Sequence, residues 1–205
     1  MKVRLRSSSG MTLMELMAAV TVLAIITIGL GLTTRTIQLN YARDTVRGEI
    51  RQYGNLVMRE IVKDISLAND LTVSSMNGFS RLIITRLNEF NQPEVTTVSA
   101  SMTGGISIDN EAPLNGHLQF PDGGRFRHLQ SVRLTDFSVR EIPVIRPSLT
   151  KFARSTYDIE LEFMVQPRGE GRQKLDPEYI RFKRRIFMPM KYVVQNNAPL
   201  NPAAL

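Results

Sequence analysis

An apolar run near the amino terminus constrains this chain more than any other feature. From Met11 to Leu32 there are 22 residues, and Glu15 is the one charged residue among them. As an α-helix rising 1.5 Å per residue, the run extends about 33 Å, which is enough to cross the hydrocarbon core of a bilayer. A carboxylate inside such a helix makes the free energy of membrane insertion less favourable, so we expect Glu15 to have a functional role.

The charges on either side of the run predict its orientation. Lys2, Arg4 and Arg6 precede it without any acid, and the next charged residue after Glu15 is Arg35. Because basic residues are retained in the cytoplasm, we expect a single-pass protein with a cytoplasmic amino terminus and an exported body. Secretory signal peptides have a shorter apolar core followed by small residues, whereas here the small residues come first.

The residues that open the run form a motif. Its pattern, Gly-hydrophobe-Thr-Leu-x-Glu-Leu, is supplied by Gly10, Met11, Thr12, Leu13, Glu15 and Leu16. The pattern resembles the class III signal of type IV prepilins and type II secretion pseudopilins. The resemblance implies that a prepilin peptidase cleaves between Gly10 and Met11 and N-methylates Met11. Thr12, Leu13 and Leu16 would belong to the sequence that the peptidase recognises. A plain membrane anchor fits the length of the run but leaves this junction unexplained.

Glu15 is placed to balance positive charge at the start of the helix. It lies four residues after Met11, so the two share one helix face, and a first-turn carboxylate meets the positive end of the helix dipole. In filaments of the resembling family, the matching glutamate neutralises the amino terminus of a neighbouring subunit. This implies an assembly charge pair for Glu15. The alternative is that Glu15 merely lies at the level of the lipid headgroups.

The helical pattern continues beyond the apolar run. Residues spaced by three and four form one apolar stripe: Val46, Ile50, Tyr53, Val57, Ile61, Ile65 and Ala68. Asn69-Asp70 is a stop signal, so the sequence predicts one helix from Met11 to Ala68 whose second half packs its stripe on a sheet.

From Leu71 onward, apolar and polar residues alternate as in antiparallel strands. Eight strands are predicted: Leu71–Ser74, Arg81–Leu87, Val95–Ser101, Gly105–Ile108, His117–Phe120, Ser131–Arg140, Thr156–Val165 and Tyr179–Met188. The expected fold is α+β, a pilin fold in which a long N-terminal α-helix, transmembrane in its first half, packs on an antiparallel β-sheet. The expected segments are a leader (1–10), a transmembrane or filament-core segment (11–34), a globular domain (35–194) and a disordered tail (195–205).

Composition argues against several classes of function. The 205 residues contain no cysteine and two histidines without metal-ligand spacing, so we expect neither a disulfide nor a zinc site. The sequence has no nucleophile elbow and no phosphate-binding loop, and we expect neither an enzyme nor a cofactor. The net charge of +7 includes three leader charges and is therefore weak evidence for a nucleic-acid partner.

One basic cluster has a sharper alternative interpretation. On a strand, Arg181, Lys183 and Arg185 would share one face while Phe182 and Ile186 point to the other. Such a face could form a basic patch for DNA. The favoured interpretation is a solvated strand face, or a contact with an acidic neighbouring subunit.

Two features favour a minor subunit within the resembling family. The exported body is large for a major pseudopilin, and Met58–Ala68 resembles the helix end of J-type minor pseudopilins and W-type minor pilins. The resemblance implies a non-enzymatic minor subunit of a type II secretion pseudopilus, held in the inner membrane with a periplasmic domain until extraction. Its partners would be the prepilin peptidase, other major and minor subunits, and inner-membrane lipid. A minor pilin of a type IV pilus or DNA-uptake filament is the alternative, and a membrane-tethered periplasmic binding domain is a distant one.

Overall fold

The computed structural model describes residues 12–146, 149–168 and 176–197. The predicted leader and the Gly10–Met11 junction lie outside these residues. The structure is α+β, with a long apolar N-terminal helix followed by antiparallel sheets.

The chain divides into two compact units. The first unit ends at Arg43 and the second begins at Asp44. One helix, α1, runs from Leu13 to Leu67 and contributes residues to both units.

The first unit contains the apolar half of α1. Its large apolar side chains are exposed, and α1 is the one helix in the described part of the chain that is long and apolar enough to cross a membrane. Threonine hydroxyls in this half donate to the carbonyl four residues earlier, at Thr21, Thr27, Thr33 and Thr36. Because these hydroxyls are satisfied within the helix itself, they are compatible with a hydrocarbon environment.

The second unit buries the apolar stripe of α1. The prediction is confirmed at every position: Val46, Ile50, Tyr53, Val57, Ile61, Ile65 and Ala68 are all buried. The helix ends at Leu67, and the backbone N–H of Asn69 donates to the carbonyl of Thr85 at 2.8 Å. The chain therefore passes directly from the helix into a sheet.

Two antiparallel sheets complete the second unit. The first has the order β1-β2-β3-β4, with strands Asp70–Met76, Phe79–Leu87, Pro93–Ser101 and Gly105–Ile108. The second has the order β5-β6-β7, with strands Gln130–Glu141, Thr156–Pro167 and Glu178–Phe187. Strand β5 contacts β2, where the Val139 N–H donates to Ser80 Oγ at 3.0 Å.

The prediction of a single sheet is wrong, and so is the strand predicted at His117–Phe120. Residues 112–118 form local turns instead: the Gly116 N–H donates to the Ala112 carbonyl at 2.7 Å, and the His117 N–H to the Leu114 carbonyl at 3.2 Å. Because these donors are used within the segment, they are not available to a sheet ladder. No strand joins β4 to β5 in this part of the chain, and the seven strands among the described residues divide into two sheets.

Two short helices are also missing from the sequence prediction. Helix α2 spans Thr150–Arg154 and helix α3 spans Pro189–Asn197. Both are too short to show a clear helical period. Helix α3 includes residues 195–197, which the sequence analysis assigns to the tail, and residues 198–205 lie outside the described part of the chain.

Aromatic rings from α1, β6, β7 and the loop before β5 meet in the core. Tyr53 lies edge-on to Phe120 and Phe163, with ring centroids 5.6 and 5.8 Å away, and Phe182 lies edge-on to Phe163 at 5.9 Å. Tyr53 Oη accepts the backbone N–H of Ile106 at 3.0 Å. Burial raises the pKa of Tyr53 to about 12, so the hydroxyl stays protonated while it ties α1 to β4.

Candidate assembly site

The start of α1 is built as a reciprocal cap. Glu15 Oε2 accepts the Thr12 backbone N–H at 2.8 Å and the Thr12 hydroxyl at 3.0 Å. In return, the Glu15 backbone N–H donates to Thr12 Oγ1 at 3.3 Å. This is the capping box, in which a threonine and the glutamate three residues later satisfy amide groups that the first helical turn leaves without partners.

The cap gives Thr12 and Glu15 a role that the sequence analysis does not assign. The signal is present in the sequence, because Thr-x-x-Glu before an apolar run is the pattern of a capping box. The threonine and the glutamate of the motif at the start of the apolar run are the same two residues that form the capping box. Glu15 is therefore a structural residue of its own helix, in addition to any pairing with another chain.

One carboxylate oxygen does all of this capping. The hydrogen bonds of Glu15 within the described residues use Oε2, and none of them uses Oε1. A carboxylate offers about four acceptor positions on its two oxygens. The geometry thus leaves Glu15 able to accept a further donor, such as an ammonium group, without losing its cap.

The other described residues of the motif present apolar side chains at the same end. Leu13 and Leu16 are both exposed, at 76% and 51% of their surface. Gly10 and Met11, the predicted cleavage and methylation positions, lie outside the described residues. The described motif is therefore a capped helix end with an exposed apolar surface, a form suited to lipid or to packing between helices.

The basic cluster of β7 is paired with acids on β6. Arg181, Lys183 and Arg185 lie directly opposite Glu162, Glu160 and Asp158 in the strand register. Arg181 Nη2 is 2.6 Å from Glu162 Oε1, and Lys183 Nζ is 3.4 Å from Glu160 Oε2. The Nε of Arg185 is 2.7 Å from Asp158 Oδ1, and this hydrogen bond holds the pKa of Asp158 below its usual value.

This charged ladder has no excess of positive charge. Three bases face three acids, and each base has an acidic partner within 3.4 Å. Phosphate binding needs cations that are free to exchange counterions for phosphate. The arrangement therefore favours the solvated or subunit-contacting face over a basic patch for DNA.

A third polar cluster lies where α1 meets the first sheet. Arg86 forms a two-pronged pair with Glu94, with Nη2 and Nε each 2.9 Å from a carboxylate oxygen. Its Nη1 is 3.8 Å from Asp64, whose side chain is 15% exposed. Burial raises the pKa of Asp64, and the charge of Arg86 opposes that shift only in part.

Asp64 lines a groove of about 500 Å³ between α1 and the segment after β4. In that segment Leu114 has a φ of 56°, a left-handed conformation that is uncommon for a non-glycine residue. Both carboxylate oxygens of Glu60 accept the Leu114 N–H, at 3.0 and 3.2 Å. Among the described residues, no set of three His, Asp or Glu side chains converges as a metal ion would require. The groove thus shows a structural network with charges of both signs.

Comparisons with protein-family models, with curated proteins and with solved structures gave no match. The functional interpretation therefore depends on the motif, the helix end and the surfaces described above.

Proposed function

We propose that this chain is a non-enzymatic minor subunit of a type II secretion pseudopilus, processed by prepilin peptidase and assembled through its N-terminal helix. The observation that carries the proposal is the capped helix end, where Glu15 opens a long exposed apolar helix. The carboxylate lies in the first turn of the helix, where a positive amino terminus could meet it.

The physical sequence of events follows from the helix. While the subunit is in the inner membrane, lipid covers the exposed apolar side chains of the first unit, and the threonine hydroxyls are satisfied by their own backbone. When the subunit leaves the membrane, those side chains must be covered by the helices of neighbouring subunits. Glu15 then pairs with a neighbouring amino terminus, which fixes the axial register because either charge alone would be buried without a partner.

Cleavage at Gly10 is the step that creates the amino terminus for this pairing. We expect Gly10→Val to remain uncleaved, because the peptidase has to approach the backbone closely at that position. The matched control is Gly29→Val, also a glycine next to apolar residues, where an added Cβ meets nothing within 4 Å. Intact-mass analysis of the membrane-purified chains should show residues 1–10 retained in the first variant and absent in the second.

The same preparations test assembly. Uncleaved Gly10→Val should insert in the membrane, since its apolar run is intact, but should not co-purify with other subunits. Cleavage of Gly10→Val at the wild-type position would contradict the proposal. So would normal co-purification of the uncleaved chain.

A further inference from the structure

An apolar surface with a basic rim lies at the junction of α2 and α3. We call it the α2–α3 corner and define it by six exposed apolar residues: Leu149, Phe152, Phe187, Met190, Val193 and Val194. Helices α2 and α3 contact each other there. The corner therefore lies where two elements of the fold meet.

Its aromatic centre is held rigidly. The rings of Phe152 and Phe187 are stacked with centroids 5.3 Å apart, and the ring of Tyr192 lies 5.5 Å from that of Phe187. Helix α2 is fixed at its end by two hydroxyls: Ser155 donates to the Lys151 carbonyl at 2.9 Å, and Thr156 to the Phe152 carbonyl at 2.8 Å. A preformed aromatic surface loses little conformational entropy when it binds.

The rim of the corner has more bases than acids. Residues 142–156 and 186–197 contain four bases and no acid. Lys191 is paired, 3.7 Å from Asp70 and hydrogen-bonded to Tyr157 Oη at 2.6 Å. Arg146, Lys151 and Arg154 form no ion pair among the described residues. This contrasts with the charged ladder on β7, where every base faces an acid.

Two ion pairs show at which end of the second unit the corner lies. Lys191 of α3 lies beside Asp70, three residues after α1 ends, whereas Arg47, near the start of this unit, pairs with Glu178 at 2.7 Å. Phe187 and Glu178 are the two ends of β7. The corner is therefore at the end of the unit where α1 terminates, and not at the end where the chain enters.

We propose that the α2–α3 corner is the docking surface for a neighbouring filament subunit that presents an apolar area bordered by acidic residues. An apolar, aromatic centre with an arginine-containing polar rim is the usual composition of a protein interface. A second copy of this chain is disfavoured, because a symmetric contact would bring the same unpaired bases together. The inference rests on the proposed function in one respect: the partner is taken to be a filament subunit.

Lipid is the competing occupant, since basic residues next to aromatic ones also suit an anionic membrane. The rings argue against it. Phe152 and Phe187 are only 43% and 37% exposed, so these rings do not project as wedges that insert between lipids.

The absence of cysteine makes the test direct, because a single introduced cysteine can carry a photo-crosslinker. The full-length chain with Met190→Cys, labelled with a benzophenone maleimide, is irradiated in native membranes. The matched control is Met102→Cys, since both methionines are 51% exposed and Met102 lies by the first sheet near Leu134. The expected result is one adduct from position 190 and none from position 102. Mass spectrometry of the adduct should identify a different chain whose precursor has its own glycine-terminated leader and apolar helix.

Charge reversal then tests the rim. In the Met190→Cys chain, Lys151→Glu together with Arg154→Glu should abolish the adduct, whereas Arg133→Glu, an exposed arginine on β5, should leave it intact. Four results would overturn the inference: an adduct with lipid, with a second copy, with a chain lacking such a leader and helix, or with equal yield from position 102. Cleavage between Gly10 and Met11 is measured by mass spectrometry in the same samples. Normal cleavage without the adduct rejects the corner alone, and retention of residues 1–10 rejects the proposed function as well.

Discussion

Glu15 accepts two hydrogen bonds from Thr12, at 2.8 Å from the backbone N–H and at 3.0 Å from the hydroxyl, through the single oxygen Oε2. The capping of the helix and the proposed pairing with a neighbouring subunit therefore use the same carboxylate. They are separable, because capping needs an acceptor at this position and the pairing needs a negative charge.

Glu15→Gln is the substitution that separates the two roles. Glutamine can still complete a capping box, so we expect normal abundance, membrane insertion and cleavage. Co-purification with other subunits should be lost, since the neighbouring amino terminus would be buried without a counter-charge. Glu15→Val should lose assembly too. If Glu15→Gln assembled normally and Glu15→Val did not, the cap and not the charge would be the functional feature.

Two glycines of α1 should respond in opposite directions to alanine. A Cβ at Gly54 would overlap the ring of Phe182, which is itself packed on Phe163, so Gly54→Ala should destabilise the second unit by about 1–3 kcal/mol. A Cβ at Gly48 would meet nothing within 4 Å, and Gly48→Ala should stabilise the helix by about 0.5–1 kcal/mol. Urea unfolding of the full chain in detergent, followed by circular dichroism, measures both. Equal effects of the two substitutions would show that Phe182 does not pack on Gly54.

Asp64 should make the protein less stable as pH rises. Burial raises the pKa of this carboxyl above that of an unfolded aspartate, so the folded state holds the proton more tightly. Between about pH 4, where unfolded aspartate titrates, and the raised folded pKa, each step up in pH removes stability. Neighbouring charges also change the pKa of Asp64: Arg86 and Lys63 lower it, and Asp109 and Glu94 raise it.

Asp64→Asn should remove that contribution. Relative to the wild type, the variant should therefore gain stability as pH rises from about 4 to the raised folded pKa of the wild-type carboxyl. Urea midpoints of both proteins at several pH values provide the comparison. A difference that stays constant with pH would mean that Asp64 ionises as freely in the folded chain as in the unfolded one.

Neutralising the charged ladder as a whole, bases and acids together, should not change DNA affinity. Arg181, Lys183 and Arg185 are each paired with an acid of β6. Changing these three bases to glutamine together with Glu160→Gln, Glu162→Gln and Asp158→Asn therefore removes equal numbers of positive and negative charges and no free cation. Gel-shift titration with duplex DNA at two salt concentrations should give the same weak binding for both chains. A clear loss of affinity together with a shallower salt dependence would restore the basic patch as a binding site.

The sequence predicts well those helices and strands whose apolar residues recur at a regular spacing. The stripe from Val46 to Ala68 follows the helical period because one face of α1 is buried, and most strands appear at their expected places. The two-sheet division is not predictable in this way, because it depends on turns at 112–118 whose hydrogen bonds are satisfied locally.

Contacts between residues far apart in the chain also cannot be predicted from local sequence patterns. The pairing of Arg185 with Asp158 requires the register of β6 against β7, and the stack of Phe152 on Phe187 requires that α2 and α3 pack together. Sequence alternation places Arg181, Lys183 and Arg185 of β7 on one face, but it gives no indication of the acids that face them. The capping of α1 by Thr12 and Glu15 is different, since its four-residue signature is local and visible in the sequence.

The amino terminus of the chain from its native membrane is the most direct test of the proposed function. Intact-mass measurement with N-terminal sequencing should find a chain that begins at Met11 and carries one methyl group on its α-amino nitrogen. This result would place a modified, positively charged terminus four residues before Glu15. A chain that retains residues 1–10, or one cut near Leu32, would contradict the account.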